Sequence, residues 1–252
     1  MRGHKRRITA TAVLSAVALL GAACGGGGGG GGGGGESVAL PNCLSTADLY
    51  ALVGPESEGF GQWSDADQLA QEVGGIAAPY PDAPLTITAP GEESGTFDAF
   101  IELAGFEDIA VERGLSEDEA ATTRADYQAS ANDNVIIEGI AASDTSLGWV
   151  GFAFYVQNSD LVKAIDVAEG TGSDCVTPTD ESIASGEFSL SRPLFIYVNR
   201  AKAEESEALR AYVDMYVTDT GLVDVVSQVG YIPIPEEDRA ATASTWESER
   251  PA

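Results

Sequence analysis

From residue 44 onward, segments with the helical spacing of apolar residues alternate with segments whose pattern is typical of strands. Apolar residues three and four apart predict helices, and short runs of β-branched and apolar residues predict strands. The predicted helices cover residues 44–52, 65–73, 97–103, 133–142, 152–158, 204–217 and 221–229, with 109–126 partly helical. The predicted strands cover residues 84–89, 147–151, 162–167 and 194–198. This alternation predicts an α/β fold whose sheets are covered on both faces.

The first 24 residues have the pattern of an export signal. Four Lys and Arg precede an apolar run from Ile8 to Ala23, which is short for a membrane-spanning helix. The run ends in small residues before Cys24, which resembles a bacterial lipobox, although Gly21 stands where leucine is usual. The resemblance implies a signal peptide over 1–23 and a lipid on Cys24, which would anchor the chain outside the cytoplasm. The alternative is an uncleaved anchor. Residues 24–37, mostly glycine, predict a flexible tether.

The charge balance is strongly acidic. The whole chain has a net charge of −27, and removal of residues 1–23 leaves nine Lys and Arg against forty Asp and Glu. A chain with this charge is repelled by nucleic acid and by anionic membrane surfaces. The apolar fraction of 44% nevertheless supports a packed core. We therefore do not expect nucleic acid to be a partner of this protein.

Two cysteines remain beyond the predicted lipidation site, Cys43 and Cys175. Outside the cytoplasm two such residues most often form a disulfide, and the alternative is a pair of buried free thiols. A bond between them would close a long loop.

Residue types exclude most catalytic chemistry. The only histidine is His4, inside the predicted signal. Catalytic triads, Cys-His pairs and zinc sites with imidazole ligands are therefore excluded, and we expect no metal and no cofactor. Carboxylate-dependent hydrolysis of wall polymers is the one enzymatic alternative, and it rests only on the abundance of acids. We expect a binding protein and not an enzyme.

The segment from Leu85 to Phe97 has the pattern of a strand, a turn and a helix start. Ser94 is a typical N-cap residue, and Gly95 lets a ligand approach the backbone. The first N–H groups of a helix have no partner inside it and lie at the positive end of its dipole. With the hydroxyls of Ser94 and Thr96, they predict a site for a small oxyanion. The alternative is an ordinary capped helix that binds nothing.

Five segments together resemble the phosphate-binding receptors of bacterial ABC transporters, the PstS family. They include Ser94-Gly95-Thr96-Phe97-Asp98 and occur in the family's order and spacing over about residues 40–238. The other four are Asn132-Asp133-Asn134-Val135, the segment from Leu147 to Tyr155, the segment from Leu190 to Asn199, and the segment from Val229 to Pro235. The resemblance implies a two-lobed α/β fold of the periplasmic-binding-protein type II class that closes on phosphate and delivers it to a permease.

The resemblance also implies a ligand set. Ser94, Gly95, Thr96 and Phe97 would contact phosphate, and Arg192 is a weaker candidate. Many family members have an arginine four residues before the serine, where this chain has Pro90. The alternative for Arg192 is an ion pair with acidic residues. Cys43 and Cys175 lie where some members carry cysteines.

Compared with the family, the chain lacks most of the segment that precedes the part matching Cys43. We therefore expect residues 38–190 to form a complete second lobe, and residues 191–252 to supply a hinge strand and the C-terminal part of a partial first lobe. The expected function is phosphate binding by an ABC importer's lipid-anchored receptor. The alternatives are a truncated or degenerate surface lipoprotein that does not bind phosphate, and a receptor for another small oxyanion.

Overall fold

A computed structural model describes residues 38–251. The predicted signal peptide, Cys24 and the glycine-rich tether lie outside these residues. The strands are β1 (Cys43–Ser45), β2 (Thr86–Ala89), β3 (Gln128–Ala129), β4 (Ser146–Leu147) and β5 (Asp166–Ala168). The helices are α1 (Thr46–Val53), α2 (Asp67–Val73), α3 (Gly95–Leu103), α4 (Phe106–Glu112), α5 (Glu117–Ala120), α6 (Asp133–Ala141), α7 (Phe152–Gln157), α8 (Asp180–Ser185), α9 (Arg200–Glu205), α10 (Glu207–Tyr216), α11 (Val226–Gln228) and α12 (Glu236–Glu249).

Two parallel sheets organise the part of the chain up to residue 190. One pairs β1 with β5, and the other has the order β3-β2-β4. In the second sheet Thr88 lies opposite Gln128, and Ile87 lies opposite Leu147. The strands are joined by helical crossovers, as parallel strands require. The prediction of an α/β fold is confirmed. The boundary between residues 190 and 191 stays a prediction.

Helix α1 begins at Thr46, two residues after the predicted start, because residues 43–45 form strand β1. Ser45 caps it, its Oγ accepting from the Asp48 N–H at 3.1 Å, and the Asp48 carboxylate accepts from the Ser45 N–H at 2.8 Å. This reciprocal capping box leaves fewer unpaired donors at the helix start. The same carboxylate, fully buried, also accepts from the Ile76 N–H at 2.9 Å and the Tyr80 hydroxyl at 2.5 Å. Asp48 thereby ties the loop after α2 to α1.

Cys43 and Cys175 form a disulfide, with their Cα atoms 6.0 Å apart. Cys43 lies in β1, and Val176, next to Cys175, bridges Val167 of the paired strand β5. The prediction that these cysteines pair is confirmed, and the alternative of two free thiols is wrong.

A single large core lies within residues 38–190. It buries completely the side chains of Trp63, Tyr50, Phe106 and Leu52. Aromatic rings continue it toward β2: Phe100 packs edge-on against Phe106, and Trp149 stacks on Phe100 with ring centroids 4.3 Å apart. These rings lie beneath the segment that connects β2 to α3.

The C-terminal segment, residues 191–251, is helical with a small core. Ala203, Val213 and Trp246 form its buried cluster, and the Trp246 indole N–H donates to Asp214 at 2.7 Å. The predicted strand at 194–198 is wrong. Those residues have no partner strand among the described residues, and without a ladder an apolar run does not form a strand.

Several predicted boundaries also need correction. The helix predicted over 204–217 is interrupted at Ser206, whose hydroxyl accepts from the Leu209 N–H at 3.2 Å and starts α10. The strand predicted over 147–151 is only Ser146–Leu147, and the one predicted over 162–167 lies at Asp166–Ala168. Helix α12 was not predicted, because Trp246 is its one large apolar residue and its sequence has no apolar stripe.

Candidate functional site

The candidate site is the segment that leads from β2 into α3. After Ala89 the chain turns through Pro90–Glu93, and the Ser94 N–H donates to the Gly91 carbonyl at 2.9 Å. Ser94 then caps the helix, its Oγ accepting from the Thr96 N–H at 3.2 Å. The predicted N-cap is therefore present, and its extended backbone (φ −106°, ψ 128°) is typical of a cap residue.

The groups at the start of α3 differ in what they offer a ligand. Gly95 is exposed, and apart from its chain neighbours and the backbone of α3 no described atom lies within 4 Å of the position that a side-chain Cβ would take. Its N–H donates to no group in the described part of the chain. The hydroxyls of Ser94 and Thr96 are half-buried. Phe97 is different: its ring is 4% exposed in the core, and its N–H donates to the Ser94 carbonyl at 2.9 Å.

A second helix begins at the same edge of the sheet. The strand β3 runs parallel to β2, and the Ser130 N–H donates to the Ala89 carbonyl at 3.0 Å. Asn132 is the N-cap of α6, which begins at Asp133. The Asn132 side-chain oxygen accepts from the Asn134 N–H at 3.0 Å. In open α/β sheets, ligands bind outside the carboxyl ends of the strands. The structure thus places Ser94, Gly95 and Thr96 at the edge where this fold class binds ligands.

Tyr127 supports the turn before Ser94 and was not predicted as a site residue. Its hydroxyl donates to the Pro90 carbonyl at 2.7 Å. Its ring lies against Trp149, with centroids 5.8 Å apart. Burial, helped by the carboxylates of Glu93 and Glu92, raises the pKa of the Tyr127 hydroxyl. The hydroxyl therefore stays protonated and keeps donating. Only the fold brings a residue 37 positions away to this turn.

The electrostatic surroundings of the site are negative. Glu92, Glu93 and Asp98 are exposed on the turn and the first turn of α3. The Glu93 carboxylate folds back over Gly91, since a Cβ built on that glycine would lie 2.5 Å from Glu93 Oε2. Attraction for an anion must therefore come from short-range hydrogen bonds.

Arg192 does not lie with the predicted ligands. Its Nη1 donates to Glu102 Oε2 at 2.6 Å, and both side chains are largely exposed. Glu102 lies near the last residue of α3, about 12 Å along the axis from Ser94 at 1.5 Å per residue. In this structure Arg192 is an ion-pair residue at the opposite end of the helix.

The other basic residues of 38–190 are also engaged. Arg113 pairs with Glu56 at 2.5 Å and Glu72 at 3.0 Å, and Arg124 pairs with Asp126 at 2.6 Å. Lys163 donates to the Asn42 side chain. The bond from Arg124 lowers the pKa of Asp126 to about 2. Because these basic side chains are paired elsewhere, the hydrogen-bond donors at the start of α3 are neutral groups.

The candidate site lies outside the two cavities described next. Two cavities of about 450 and 130 Å³ occur elsewhere, the larger beside α12 and the smaller beside β2 and β3, and neither is lined by Ser94, Gly95 or Thr96. Within residues 38–251, no group of three His, Cys, Asp or Glu side chains is arranged to hold a metal ion. None of the helices described is both long and apolar enough to cross a membrane.

Comparison with known proteins indicates the ancestry of the chain. No family model matches it. It is 39% identical over 160 residues to the protein SphX of Synechocystis sp., which covers 63% of this chain and 43% of SphX. It is 27% identical over 163 residues to the phosphate-binding protein PstS of Staphylococcus aureus, which covers 64% of this chain and 44% of PstS. The chain thus spans about half the length of the curated relatives it matches.

A solved structure gives the same indication for the fold. The structure of a possible phosphate-binding protein from Planctomyces limnophilus superposes with a TM-score of 0.65 at 27% identity. The match covers 85% of this chain and 67% of that one. The chain is therefore similar in sequence to the protein SphX and to the phosphate-binding protein PstS, and its α/β fold is of the periplasmic-binding-protein class.

Proposed function

We propose that the chain is the extracytoplasmic phosphate-binding component of an ABC importer, and that phosphate binds at Ser94, Gly95 and Thr96. The observation that carries the proposal is the exposed start of α3, at the carboxyl edge of a parallel sheet, in a chain homologous to phosphate-binding proteins. An ABC transporter permease would be the partner that receives the phosphate. Neither catalysis nor a cofactor is needed for this role.

The donors present suit a small tetrahedral oxyanion. The Gly95 N–H has no partner among the described residues, and the hydroxyls of Ser94 and Thr96 lie one residue to either side. Each hydrogen bond to a charged oxygen contributes on the order of 1.5–3 kcal/mol. With the positive end of the α3 dipole, two or three such bonds give about 4 kcal/mol after the entropy cost of binding, or roughly 1 mM affinity. Binding by these groups alone is therefore weak.

The acidic residues of the turn favour phosphate over other oxyanions. The carboxylates of Glu92 and Glu93 accept hydrogen bonds and donate none at neutral pH. Phosphate keeps at least one proton at neutral pH and can donate to a carboxylate, whereas sulfate has no proton and is repelled. Phosphate is therefore the proposed ligand in preference to sulfate. Arsenate has the same protonation chemistry as phosphate and is expected to compete with it.

Membrane attachment through a lipid on Cys24 completes the proposal. Cys24 lies outside the described residues, so the support is the signal-like sequence before it. With Cys24→Ala we expect the protein to move from the detergent phase to the aqueous phase on partitioning. Unchanged partitioning would contradict the lipid anchor and leave the phosphate proposal untouched.

Isothermal titration of the purified protein tests the proposed ligand. We expect heat on adding millimolar phosphate, suppression of that heat by arsenate, and none with sulfate at equal ionic strength. Equal responses to phosphate and sulfate would overturn the selectivity argument. No response to either would favour the alternative, a surface lipoprotein of the same lineage that does not bind phosphate.

A further inference from the structure

The linking segment, residues 123–127, is attached at one end to the chain around the end of α1. The Arg124 N–H donates to the carbonyl of Val53, the last residue of α1, at 2.9 Å. The Arg124 side chain is only 6% exposed, and its Nη2 donates to the Phe60 carbonyl at 2.8 Å. Because both acceptors are backbone carbonyls of one short stretch, the position of Arg124 follows that of residues 53–60.

Asp126 reinforces this attachment. Arg124 donates to its carboxylate through two bonds, Nε to Oδ1 at 2.6 Å and Nη2 to Oδ2 at 2.8 Å. The same carboxylate also accepts from the Gly59 N–H at 2.8 Å. Paired bonds between arginine and a carboxylate restrict orientation as well as distance. The next residue, Tyr127, is therefore held in a defined position relative to the same stretch of chain.

Tyr127 connects the linking segment to the turn before α3, where its hydroxyl donates to the Pro90 carbonyl at 2.7 Å. Among the described residues, this is the only hydrogen bond between the turn, Pro90–Glu93, and any residue other than Ser94. Pro90 itself is buried. The position of the turn therefore depends on this one hydrogen bond and on the packing of Pro90.

The orientation of the Pro90 carbonyl also affects Ser94. A peptide group is planar, so a bond that fixes the Pro90 carbonyl fixes the direction of the Gly91 N–H as well. The Gly91 carbonyl in turn accepts from the Ser94 N–H at 2.9 Å, and Ser94 caps α3. Rotation of the Pro90 peptide group would therefore move the residue that caps the helix.

The ring of Tyr127 is linked to the body of α3 through a second aromatic ring. It lies against Trp149, with centroids 5.8 Å apart, and Trp149 stacks on Phe100 of α3 with centroids 4.3 Å apart. The hydroxyl of Tyr127 thus contacts the turn, and its ring packs in the aromatic layer on which the helix lies. One side chain supports both parts of the candidate site.

We propose that Tyr127 is a positioning residue for the proposed phosphate site, and that the linking segment couples this site to residues 53–60. Tyr127 itself does not contact the ligand in this assignment. It keeps the Ser94 hydroxyl and the Gly95 N–H in the arrangement that an oxyanion needs. The effect on binding rests on the proposed function, whereas the effect on the turn can be measured without a ligand.

Removal of one hydroxyl tests the positioning role. In Tyr127→Phe we expect the Ser94 amide, which is bonded within the turn, to exchange with solvent about tenfold faster in the free protein. The affinity for inorganic phosphate, measured from the NMR shift of Gly95, should fall about fivefold. Tyr50→Phe is the matched control, because its hydroxyl donates to Glu56 at 2.7 Å away from the turn. In the control both quantities should stay within about twofold of the unchanged protein.

Two results would overturn the positioning role. One is unchanged exchange at Ser94 in Tyr127→Phe, whether or not phosphate binds, and the other is faster exchange at Ser94 with undiminished phosphate affinity. Equal changes in Tyr50→Phe would also contradict it, since they would indicate a general loss of stability. If the unchanged protein shows no shift with phosphate, the proposed function fails, and the exchange at Ser94 alone decides whether Tyr127 positions the turn.

A double-mutant cycle tests the coupling through the linking segment. Asp126→Asn removes one charge of the bidentate pair, and we expect it to speed exchange at Ser94 about threefold. Combined with Tyr127→Phe it should add less than about 1.5-fold, because the hydroxyl that carries the effect is already absent. Glu72→Gln, which removes one charge of the pair with Arg113 at 3.0 Å, is the control and should leave the exchange at Ser94 unchanged. Independent, multiplicative effects of Asp126→Asn and Tyr127→Phe would contradict the coupling.

Discussion

Residues 38–190, the predicted lobe, and residues 191–251, the C-terminal segment, differ in both charge and packing. The lobe has twenty-eight Asp and Glu against three Lys and Arg, a net charge of −25, and a large core, whereas the C-terminal segment has six Lys and Arg against eleven Asp and Glu and three buried core residues. Nine large apolar side chains of the C-terminal segment are exposed, against six in the longer lobe. The difference teaches that residues 38–190 are stabilised by a large core of their own, whereas the C-terminal segment leaves more of its apolar side chains exposed.

The largest expected effect on stability comes from removing the disulfide, whose two cysteines both lie in the predicted lobe. Its bond closes a loop of 132 residues, and the chain-entropy model gives about 5 kcal/mol as an upper value for its contribution to the free energy of unfolding. We expect Cys43→Ala with Cys175→Ala to lower the urea midpoint of the lobe strongly. The exchange rates of amides in α10 and α12 should change little. Equal destabilisation of both regions would contradict their separation.

A matched pair of tryptophan substitutions compares the two cores. Trp63 is fully buried in the lobe, and Trp246 is 9% exposed in the C-terminal segment. We expect Trp63→Ala to lower the free energy of unfolding of the lobe by about 3–5 kcal/mol. Trp246→Ala should instead release α12 and leave the lobe's midpoint almost unchanged. Thermal unfolding followed by hydrogen exchange distinguishes the two, and a loss of lobe stability in Trp246→Ala would show that the cores are coupled.

Asp48 tests the buried polar network of the lobe. Burial by itself raises the pKa of Asp48, but hydrogen bonds from Ser45, Tyr80 and Ile76 outweigh it and hold the pKa below the ordinary value of 3.8. Since the folded pKa is the lower one, its contribution to stability is present above pH 3.8 and is lost as pH falls through the folded pKa. We expect Asp48→Asn to cost about 3 kcal/mol at pH 7, because buried donors lose their acceptor.

The control for Asp48 is Asp65, which accepts from the Gly61 and Gln62 N–H groups at 2.9 Å in an exposed turn. Asp65→Asn should cost about 1 kcal/mol or less. Urea unfolding between pH 7 and pH 2 measures both variants. The stability of Asp48→Asn should depend less on acid than that of the unchanged protein. An equally steep loss of stability with falling pH in Asp48→Asn and in the unchanged protein would contradict the assigned role of Asp48.

Local signals in the sequence were the ones that the structure confirmed. Ser45 with Asp48, and Ser94 before Gly95, are capping patterns whose groups lie within a few residues of each other, so tertiary packing does not change them. The α/β class was also predictable, because it follows from the alternation of helical and strand periods. The start of the candidate site could therefore be found from residue types alone.

Structural features that depend on contacts between residues far apart in the sequence could not be predicted. The run at 194–198 has the composition of a strand, but a strand forms only where another one pairs with it. The bond from Tyr127 to the Pro90 carbonyl and the pairing of Arg192 with Glu102 join residues that are 37 and 90 positions apart. Neither spacing nor periodicity identifies such pairs. The surroundings of the site therefore required the fold.

The most direct test of the account is the response of the α3 start to phosphate, followed through backbone amide signals by NMR. We expect the signals of Gly95 and Thr96 to shift with an affinity of roughly 1 mM, and Ser94→Ala to abolish the shift. Ser116→Ala, at a serine that caps α5 in the same lobe, is the matched control and should leave it unchanged. Shifts confined to other regions, or phosphate binding that survives Ser94→Ala unaltered, would contradict the placement of the site.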